Sequence, residues 1–234
     1  MTSRITLISS MATKGVLAEL AQAFLQRSGT VVDIESVGGV DAAKRVRSGE
    51  AFDLVFLASD AIDRLLAEGH LVGHREDLIR STVAVAVRAG APHPDISHGQ
   101  AVREAVLAAP SLSYSTGPSG TYLTALFERW GIADQVRSRM VQAPPGVPVG
   151  RLVAQGEVAL GFQQLSELLP LRGIEVVGEL PSDIQFVTTF CAGRGAAAAQ
   201  ACAQANDAAI AQWLDFLRTA DSAAAIRRHG MSPV

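Results

Sequence analysis

The first part of the chain switches repeatedly between short apolar stretches and longer segments with helical periodicity. Residues 5–10 are apolar up to two closing serines, and residues 13–28 then place apolar side chains every three or four positions. The first pattern predicts a strand, and the second predicts an amphipathic helix. Residues 30–37 and 40–48 repeat the pair, and a nearly continuous apolar stretch at 53–60 is typical of a parallel strand covered on both faces. The pattern therefore predicts a β-α-β-α order, closed by a helix over 61–68.

A second series of alternating elements follows a strand predicted at 81–88 and a loop rich in glycine and proline. The predicted strands of this series lie at 111–116, 140–143, 158–163, 174–180 and 184–193. The predicted helices lie at 100–109, 119–130, 133–138, 147–155, 164–168 and, as a single helix, 209–230. The alanine-rich stretch before the last helix is itself predicted to be helical, because alanine is the best helix former. The chain is therefore predicted to be α/β with a second α/β unit.

Composition narrows the possible functions. The chain has 234 residues, 48% hydrophobic, with a formal net charge of −3 and scattered basic residues, so a nucleic-acid partner is not expected. No apolar run approaches the roughly 18 residues that span a bilayer, so no membrane insertion is expected. Cys191 and Cys202 are too few for a disulfide framework, and without a Cys/His cluster we expect buried thiols, no metal and no cofactor.

The start of the chain bears on its compartment. Only Ile5–Ile8 are apolar before two serines, whereas a signal peptide needs an apolar core of about 7–15 residues. The chain as it stands is therefore predicted to be cytoplasmic. An exported protein whose leader was replaced by Met would begin in the same way, so a periplasmic location stays open.

A loop of small residues, STGPSG at 115–120, leads directly into the predicted helix at 119–130. The first N–H groups of a helix have no intrahelical partner and lie at the positive end of its dipole, so such a loop can hold an anion. Ser119 could equally be only the N-cap of that helix. The segment by itself leaves both interpretations open.

Several segments in succession resemble the type II periplasmic binding proteins, specifically their molybdate-binding branch. They are ITLISSMATKGVLAELAQAF, GGVDAAKRVRSGEAFDLVFLASD, STGPSGTYLTALFERWGIADQV, RLVAQGEVALGF and WLDFLRTADSAAAIRRHGMSPV. This resemblance covers nearly the whole chain and implies a two-lobed α/β fold with two hinge-crossing strands, at 81–88 and 184–190. It implies that lobe one is 1–82 plus 187–234 and that lobe two is 83–186.

In that family the ligand lies between the lobes, at the carboxyl ends of strands, as in open α/β sheets generally. Arg80 is the charged residue favoured for the site, because it directly precedes the first hinge strand. The resemblance implies these ligand-binding residues: Ser9, Ser10, Met11, Ala12, Thr13, Gly38, Gly39, Arg80, Ser119, Gly120, Gly146, Val147, Gln163 and Gln164. Gly146 and Val147 are expected to precede the helix at 147.

Three aligned positions depart from the molybdate-binding pattern. That branch carries hydroxyl groups in its first two loops and a tyrosine after the VALGF-like strand, where this chain has Ala12, Gly38 or Gly39, and Gln164. Fewer hydroxyls, more space and an amide favour a larger organic anion over a compact oxyanion. Whether Gln163 and Gln164 both face the ligand stays open, because successive strand residues alternate.

Three functions follow from the resemblance. The chain is predicted to be a binding protein that closes on a small anion, an organic di- or tricarboxylate rather than molybdate, with an ABC permease as partner if it is exported. The first alternative is an isomerase resembling the aconitate isomerases of this fold, with no catalytic residue assigned. Ser9, Ser10, Thr13, Lys14 and Ser119 are its acid–base candidates. The second alternative is a molybdate- or oxyanion-binding component of an ABC importer.

Overall fold

The computed structural model describes residues 3–201 and 206–234, and it divides into two compact units. Unit 1 consists of Met1–Arg80 and Thr189–Val234, and unit 2 is Ser81–Thr188. The boundaries predicted from the sequence were 82/83 and 186/187. Two strands, Leu71–Arg88 and Val187–Gly195, carry the chain from one unit to the other.

The strands alternate with helices along the chain. The strands are β1 (Arg4–Ser10), β2 (Val31–Val37), β3 (Leu54–Ala58), β4 (Leu71–Arg88), β5 (Leu112–Tyr114), β6 (Met140–Gln142), β7 (Leu160–Gln164), β8 (Ile174–Glu179), β9 (Val187–Gly195) and β10 (Met231–Pro233). The helices are α1 (Lys14–Ser28), α2 (Gly39–Arg47), α3 (Ser59–Ala67), α4 (Gly99–Ala108), α5 (Pro118–Arg129), α6 (Ala133–Val136), α7 (Val149–Gln155), α8 (Leu165–Leu168), α9 (Ala196–Ala201), α10 (Asp207–Leu217) and α11 (Ala220–Arg228). Short 3₁₀ helices lie at Met11–Thr13 and Arg137–Arg139.

Unit 1 contains a mixed sheet in the order β2-β1-β3-β9. β1 is parallel to β2 and β3, and β9 is antiparallel to β3. Every residue of β3 is buried, as its continuous apolar run predicted. Trp213 of α10 is fully buried, with its ring 5.2 Å from that of Phe24 on α1, so the C-terminal part of the chain completes the core built by the first helix.

Unit 2 contains a second set of strands in the order β4-β7-β5-β6, with β8 also paired to β4. β5 is parallel to β6 and β7, while β4 is antiparallel to β7. The carboxyl ends of β5, β6 and β7 therefore share one edge of this sheet. The ring of Phe127 on α5 lies 6.4 Å from that of Phe162 on β7, which packs α5 against the sheet.

The structure corrects several sequence-based boundaries. β4 begins at Leu71, so Arg80 lies inside a strand and does not precede one. The predicted single C-terminal helix is two helices, because the Thr219 side chain accepts a hydrogen bond from the N–H of Ser222 and starts α11. β10 was not predicted.

Two further sequence predictions concern the cysteines and the membrane. Cys191 is buried and donates a hydrogen bond to Asp77, with 3.0 Å between Sγ and Oδ1, whereas Cys202 lies outside the described residues. Among the described residues, no helix combines the length and apolar composition needed to cross a bilayer.

Candidate functional site

The end of β1 contains two serines whose hydroxyl groups have different surroundings. Ser9 is fully buried, and its Oγ lies 2.8 Å from the Oγ of Ser36, its register partner on β2. Ser10 is 8% exposed, and its Oγ has no hydrogen-bond partner among the described residues. The Ser10 hydroxyl is therefore the hydrogen-bond donor at this strand end that has no partner among the described residues.

The turn after β1 is a 3₁₀ helix over Met11–Thr13, which leads into α1. Thr13 is buried and donates its hydroxyl hydrogen to the carbonyl oxygen of Ser10, at 3.2 Å. Met11 and Ala12 are half-buried. The Thr13 hydroxyl therefore stabilises the turn, and its hydrogen is bonded to the protein backbone.

The start of α2 lies beside this turn. Gly38 is the N-cap and Gly39 the first helical residue, and a Cβ built on Gly39 would lie 3.8 Å from the Cβ of Ser10. The first intrahelical bond runs from the N–H of Ala42 to the oxygen of Gly38, so the N–H groups before Ala42 have no partner within the helix. The structure thus brings together the open hydroxyl of Ser10 and the positive end of α2.

Arg80 is a further candidate donor. It is the last residue of the first segment of unit 1 and is exposed. No ion pair or side-chain hydrogen bond joins its guanidinium to any of the described residues. The positive charge of Arg80 is therefore not neutralised by an ion pair with any described residue.

The small-residue loop of unit 2 has a different arrangement. Gly117 is the N-cap of α5 and Pro118 is its first residue, so the interpretation of Ser119 as the N-cap is wrong. Ser119 is 1% exposed, and its Oγ lies 3.1 Å from the Oγ of Ser115, which also accepts from the N–H of Gly117 at 3.3 Å. The sequence analysis missed Ser115, although it is the first residue of the same loop.

Gly120 is required by packing. A Cβ at this position would lie 1.8 Å from the carbonyl oxygen of Ser115 and 3.0 Å from the Tyr114 ring. Real Cβ atoms do not approach a backbone oxygen so closely. Glycine therefore allows α5 to lie against the end of β5.

Gly146 and Val147 lie in a turn and not at a helix start. The φ of Gly146 is +76°, the N–H of Val147 donates to the oxygen of Pro144 at 3.0 Å, and α7 begins two residues after Val147 with Pro148 as its N-cap. The predicted helix boundary at 147 is wrong, because proline at 148 sets the cap. A positive φ is the conformation that favours glycine at position 146.

Gln163 is 2% exposed, and its amide has partners at both ends. Its Oε1 accepts from the N–H of Val149 at 2.8 Å, and its Nε2 donates to Oε1 of Glu167 at 2.9 Å. Burial raises the pKa of Glu167 to about 7, and the bond from Gln163 opposes that rise. The sequence analysis missed Glu167, although its position four residues after Gln163 was a usable signal.

Gln164 is also 2% exposed, and its Nε2 donates to Oγ1 of Thr188 at 2.6 Å. Its Oε1 has no partner among the described residues. Both glutamines are therefore buried, and Gln164 is also the N-cap of α8. The ligand-binding role of all the candidate residues stays a prediction.

The chain matches the family model described as bacterial extracellular solute-binding protein over residues 5–232. It is 37% identical to an aconitate isomerase from Pseudomonas sp, over 98% of this chain and 88% of that protein. It resembles the Azotobacter vinelandii periplasmic molybdate-binding protein, with 20% identity, 98% of each chain and a TM-score of 0.75. It also resembles a tungstate ABC transporter structure from Geobacter sulfurreducens, with 16% identity, 96% and 98% coverage and a TM-score of 0.74. These matches confirm the predicted two-lobed, type II periplasmic-binding-protein-like fold. They also confirm the resemblance to molybdate-binding proteins and the resemblance to aconitate isomerases.

Proposed function

We propose that the chain, which belongs to the family of bacterial extracellular solute-binding proteins, binds a tricarboxylate of the aconitate type and moves the carbon–carbon double bond of that ligand. The observation that carries the proposal is the 37% identity to the Pseudomonas aconitate isomerase over nearly the whole chain. The molybdate and tungstate proteins have only 20% and 16% sequence identity with this chain. A relative of that similarity is a better guide to the ligand than a distant neighbour of the same fold.

The open donors of unit 1 suit a carboxylate. The Ser10 hydroxyl and the first N–H groups of α2 can each donate to a ligand oxygen, and the dipole of this nine-residue helix favours negative charge at that place. Gly39 adds no side chain there. Arg80 supplies a cation without a partner among the described residues, which a ligand with several carboxylates can use.

A compact oxyanion is less favoured. The positions at which the molybdate-binding branch places hydroxyl or phenol donors hold Ala12, Gly39 and Gln164 in this chain. Each missing bond to a charged group costs about 1.5–3 kcal/mol. Three missing donors therefore weaken molybdate binding more than they weaken the binding of a larger organic anion, which can reach other groups.

Moving the double bond of aconitate requires acid–base chemistry and no redox step. A base removes a proton from the methylene carbon, the electron pair shifts through the allylic system, and a proton is added to the far carbon as the new double bond forms. The hydroxyl hydrogen of Thr13 lies in a hydrogen bond within the protein, and the hydroxyl groups of Ser9 and Ser119 are each hydrogen-bonded to another serine. Among the described acid–base candidates, Ser10 and the exposed Lys14 have a side-chain donor atom without a partner.

A second candidate function is anion binding for import without turnover, with an ABC permease as partner. The structure of unit 1 favours it in one respect, because an open hydroxyl beside a helix N-terminus can hold an anion with no acid or base in contact with it. This candidate also requires an exported protein. The compartment of this chain stays a prediction under either function.

Proton NMR of trans-aconitate in D2O separates the two functions. An isomerase produces the cis isomer and replaces carbon-bound protons with deuterium, whereas a binding protein broadens the ligand signals without changing their integrals. Gly39→Ala is expected to abolish the conversion, because its methyl group would occupy space beside the first N–H groups of α2. The protein should stay folded, because that methyl group has ordinary contact distances.

The matched control is His93→Ala. His93 is exposed and its Nε2 contacts Glu175, away from all the candidate residues in sequence, so this variant should convert trans-aconitate at the wild-type rate. Binding of trans-aconitate without deuterium uptake would leave only the second function. Calorimetry that shows micromolar molybdate affinity and no aconitate binding would contradict a carboxylate ligand and leave the binding of an oxyanion as the function.

A further inference from the structure

Glu167, on the short helix α8, is a carboxyl group for which the proposed chemistry has no use. The residue is half-buried, and its Oε1 accepts a hydrogen bond from Nε2 of Gln163 at 2.9 Å. Burial raises the pKa of this carboxyl to about 7. A carboxyl that binds a proton near neutrality and lies inside a hydrogen-bond network needs an explanation.

The Gln163 amide is hydrogen-bonded at both ends, and the second contact shows which end is the oxygen. Its Oε1 accepts from the backbone N–H of Val149 at 2.8 Å, and a backbone N–H can only donate. The amide oxygen must therefore face Val149, and the amino group must face position 167. The acceptor that the described structure places opposite this amino group is Oε1 of Glu167.

Among the described residues, no charged group contributes to the pKa of this carboxyl. Helix α8 packs against β7, α7, β4 and β8, whose unit 2 segments carry the charged side chains of Arg88, Arg151, Glu175 and Glu179. Burial and the bond from Gln163 are nevertheless the causes that set the pKa of Glu167. Its protonation is therefore coupled to the Gln163 amide more directly than to any ion pair.

We propose that Glu167 is a positioning residue that orients the Gln163 amide, which in turn holds the N–H of Val149 and the turn at Gly146 and Val147. Its bearing on ligand binding rests on the proposed function, because that turn belongs to the predicted ligand-binding residues. An anion held at the turn binds more tightly when Glu167 is protonated, because the ionised carboxylate repels it. By linkage, binding of the anion takes up a proton.

Amide hydrogen exchange at Val149 in the ligand-free, full-length protein tests the positioning role. Glu167→Leu removes the acceptor and is expected to accelerate exchange at Val149 roughly fivefold to tenfold, about the value of one net hydrogen bond. Glu167→Gln keeps an acceptor oxygen and is expected to stay within about twofold of wild type. The N–H of Ala143, which donates to Tyr114, reports whether the rest of unit 2 is unchanged. Equal exchange at Val149 in all three proteins overturns the proposal.

A second variant tests the same coupling from the other side, in case Glu167→Leu does not fold. Gln163→Met removes the donor to Glu167, so the pKa of the Glu167 carboxyl, followed by carbon NMR, is expected to rise further. A pKa that does not move would show that the amide and the carboxyl are uncoupled, and the positioning role would be wrong.

Calorimetry with trans-aconitate at about pH 6 and about pH 8 tests the link to the ligand. The wild-type affinity is expected to fall about tenfold between the two, and that of Glu167→Gln by less than about twofold. Equal pH dependence in the two proteins overturns the link. If trans-aconitate binds neither protein at either pH, the proposed function fails, while the exchange experiment still decides the role of Glu167.

Discussion

The end of β1 in unit 1 and the end of β5 in unit 2 have the same residue types and opposite arrangements. β1 ends in two serines and β5 is followed by serines, and each strand end has a glycine at or near the start of a helix beside it. In unit 1 the Ser10 hydroxyl has no partner among the described residues, and a Cβ on Gly39 would have an ordinary contact at 3.8 Å. In unit 2 the hydroxyls of Ser115 and Ser119 bond to each other, and a Cβ on Gly120 would lie 1.8 Å from a carbonyl oxygen.

The difference shows that a small-residue loop before a helix has two physical uses. At Gly39 the missing side chain leaves space beside the first backbone N–H groups of α2, and an anion site requires such space. At Gly120 the missing side chain lets a helix approach a strand end. The same residue types therefore leave donors open in unit 1 and use them for internal contacts in unit 2.

Gly120→Ala should have the largest effect. Its Cβ would overlap a backbone oxygen, so the helix and strand must separate, and we expect a loss of at least about 3 kcal/mol in the free energy of unfolding. Urea denaturation measures this loss. Gly39→Ala is the matched control and should stay within about 1 kcal/mol of wild type. Similar losses in both variants would remove the distinction between the two glycines.

Protonation of Glu167 should make the stability of unit 2 depend on pH. Its pKa is about 7 in the folded protein, above the ordinary value of 4.5, so the folded state holds the proton more tightly than the unfolded state. The contribution of Glu167 to the free energy of unfolding is then highest below about pH 4.5, falls as the pH rises to about 7, and is constant above that. The total change is on the order of 3 kcal/mol.

Denaturation of wild type and Glu167→Gln over this pH range isolates the contribution of the carboxyl. The glutamine variant keeps the acceptor and lacks the proton, so the difference between the two curves should change by that amount. Parallel curves would mean that Glu167 titrates alike in the folded and unfolded states.

Ser9→Ala should have an intermediate effect. It leaves the Oγ of Ser36 without its partner 2.8 Å away, and we expect a loss of about 1 kcal/mol in the free energy of unfolding. Thermal unfolding measures the loss. The double variant in which Ser36 is also alanine should recover part of it, and a further additive loss would contradict pairing of the two hydroxyls.

Ser10→Ala should have the smallest effect on stability. The hydroxyl that it removes has no partner among the described residues, so the free energy of unfolding should stay within about 0.5 kcal/mol of wild type. Calorimetry should nevertheless show a severalfold loss of trans-aconitate affinity. Unchanged affinity in this folded variant would mean that the end of β1 is not part of the ligand site.

The sequence predicted the regular elements where hydrophobic periodicity decided them. The β-α-β-α order up to residue 60 is confirmed, because parallel strands buried on both faces and amphipathic helices have distinct patterns. The break between α10 and α11 was missed, because alanine-rich sequence on both sides of Thr219 favours a continuous helix. A single side-chain cap decided against it.

The candidate site was less predictable, because its chemistry depends on contacts between distant residues. Nothing local distinguishes Ser9 from Ser10, yet Ser36 on the neighbouring strand gives one hydroxyl a partner and not the other. Gly120 has its packing role only because α5 meets the end of β5. The state of Glu167 depends on burial, which its own sequence surroundings do not show.

The discontinuity of unit 1 has a consequence for biosynthesis. Unit 2 is continuous in sequence and is complete once residue 188 leaves the ribosome, so it can fold as soon as it is made. Unit 1 then still lacks β9 beside β3, and it lacks Trp213, which packs against Phe24. The first 80 residues must therefore wait for the last ones, with apolar surface exposed to chaperones in the meantime.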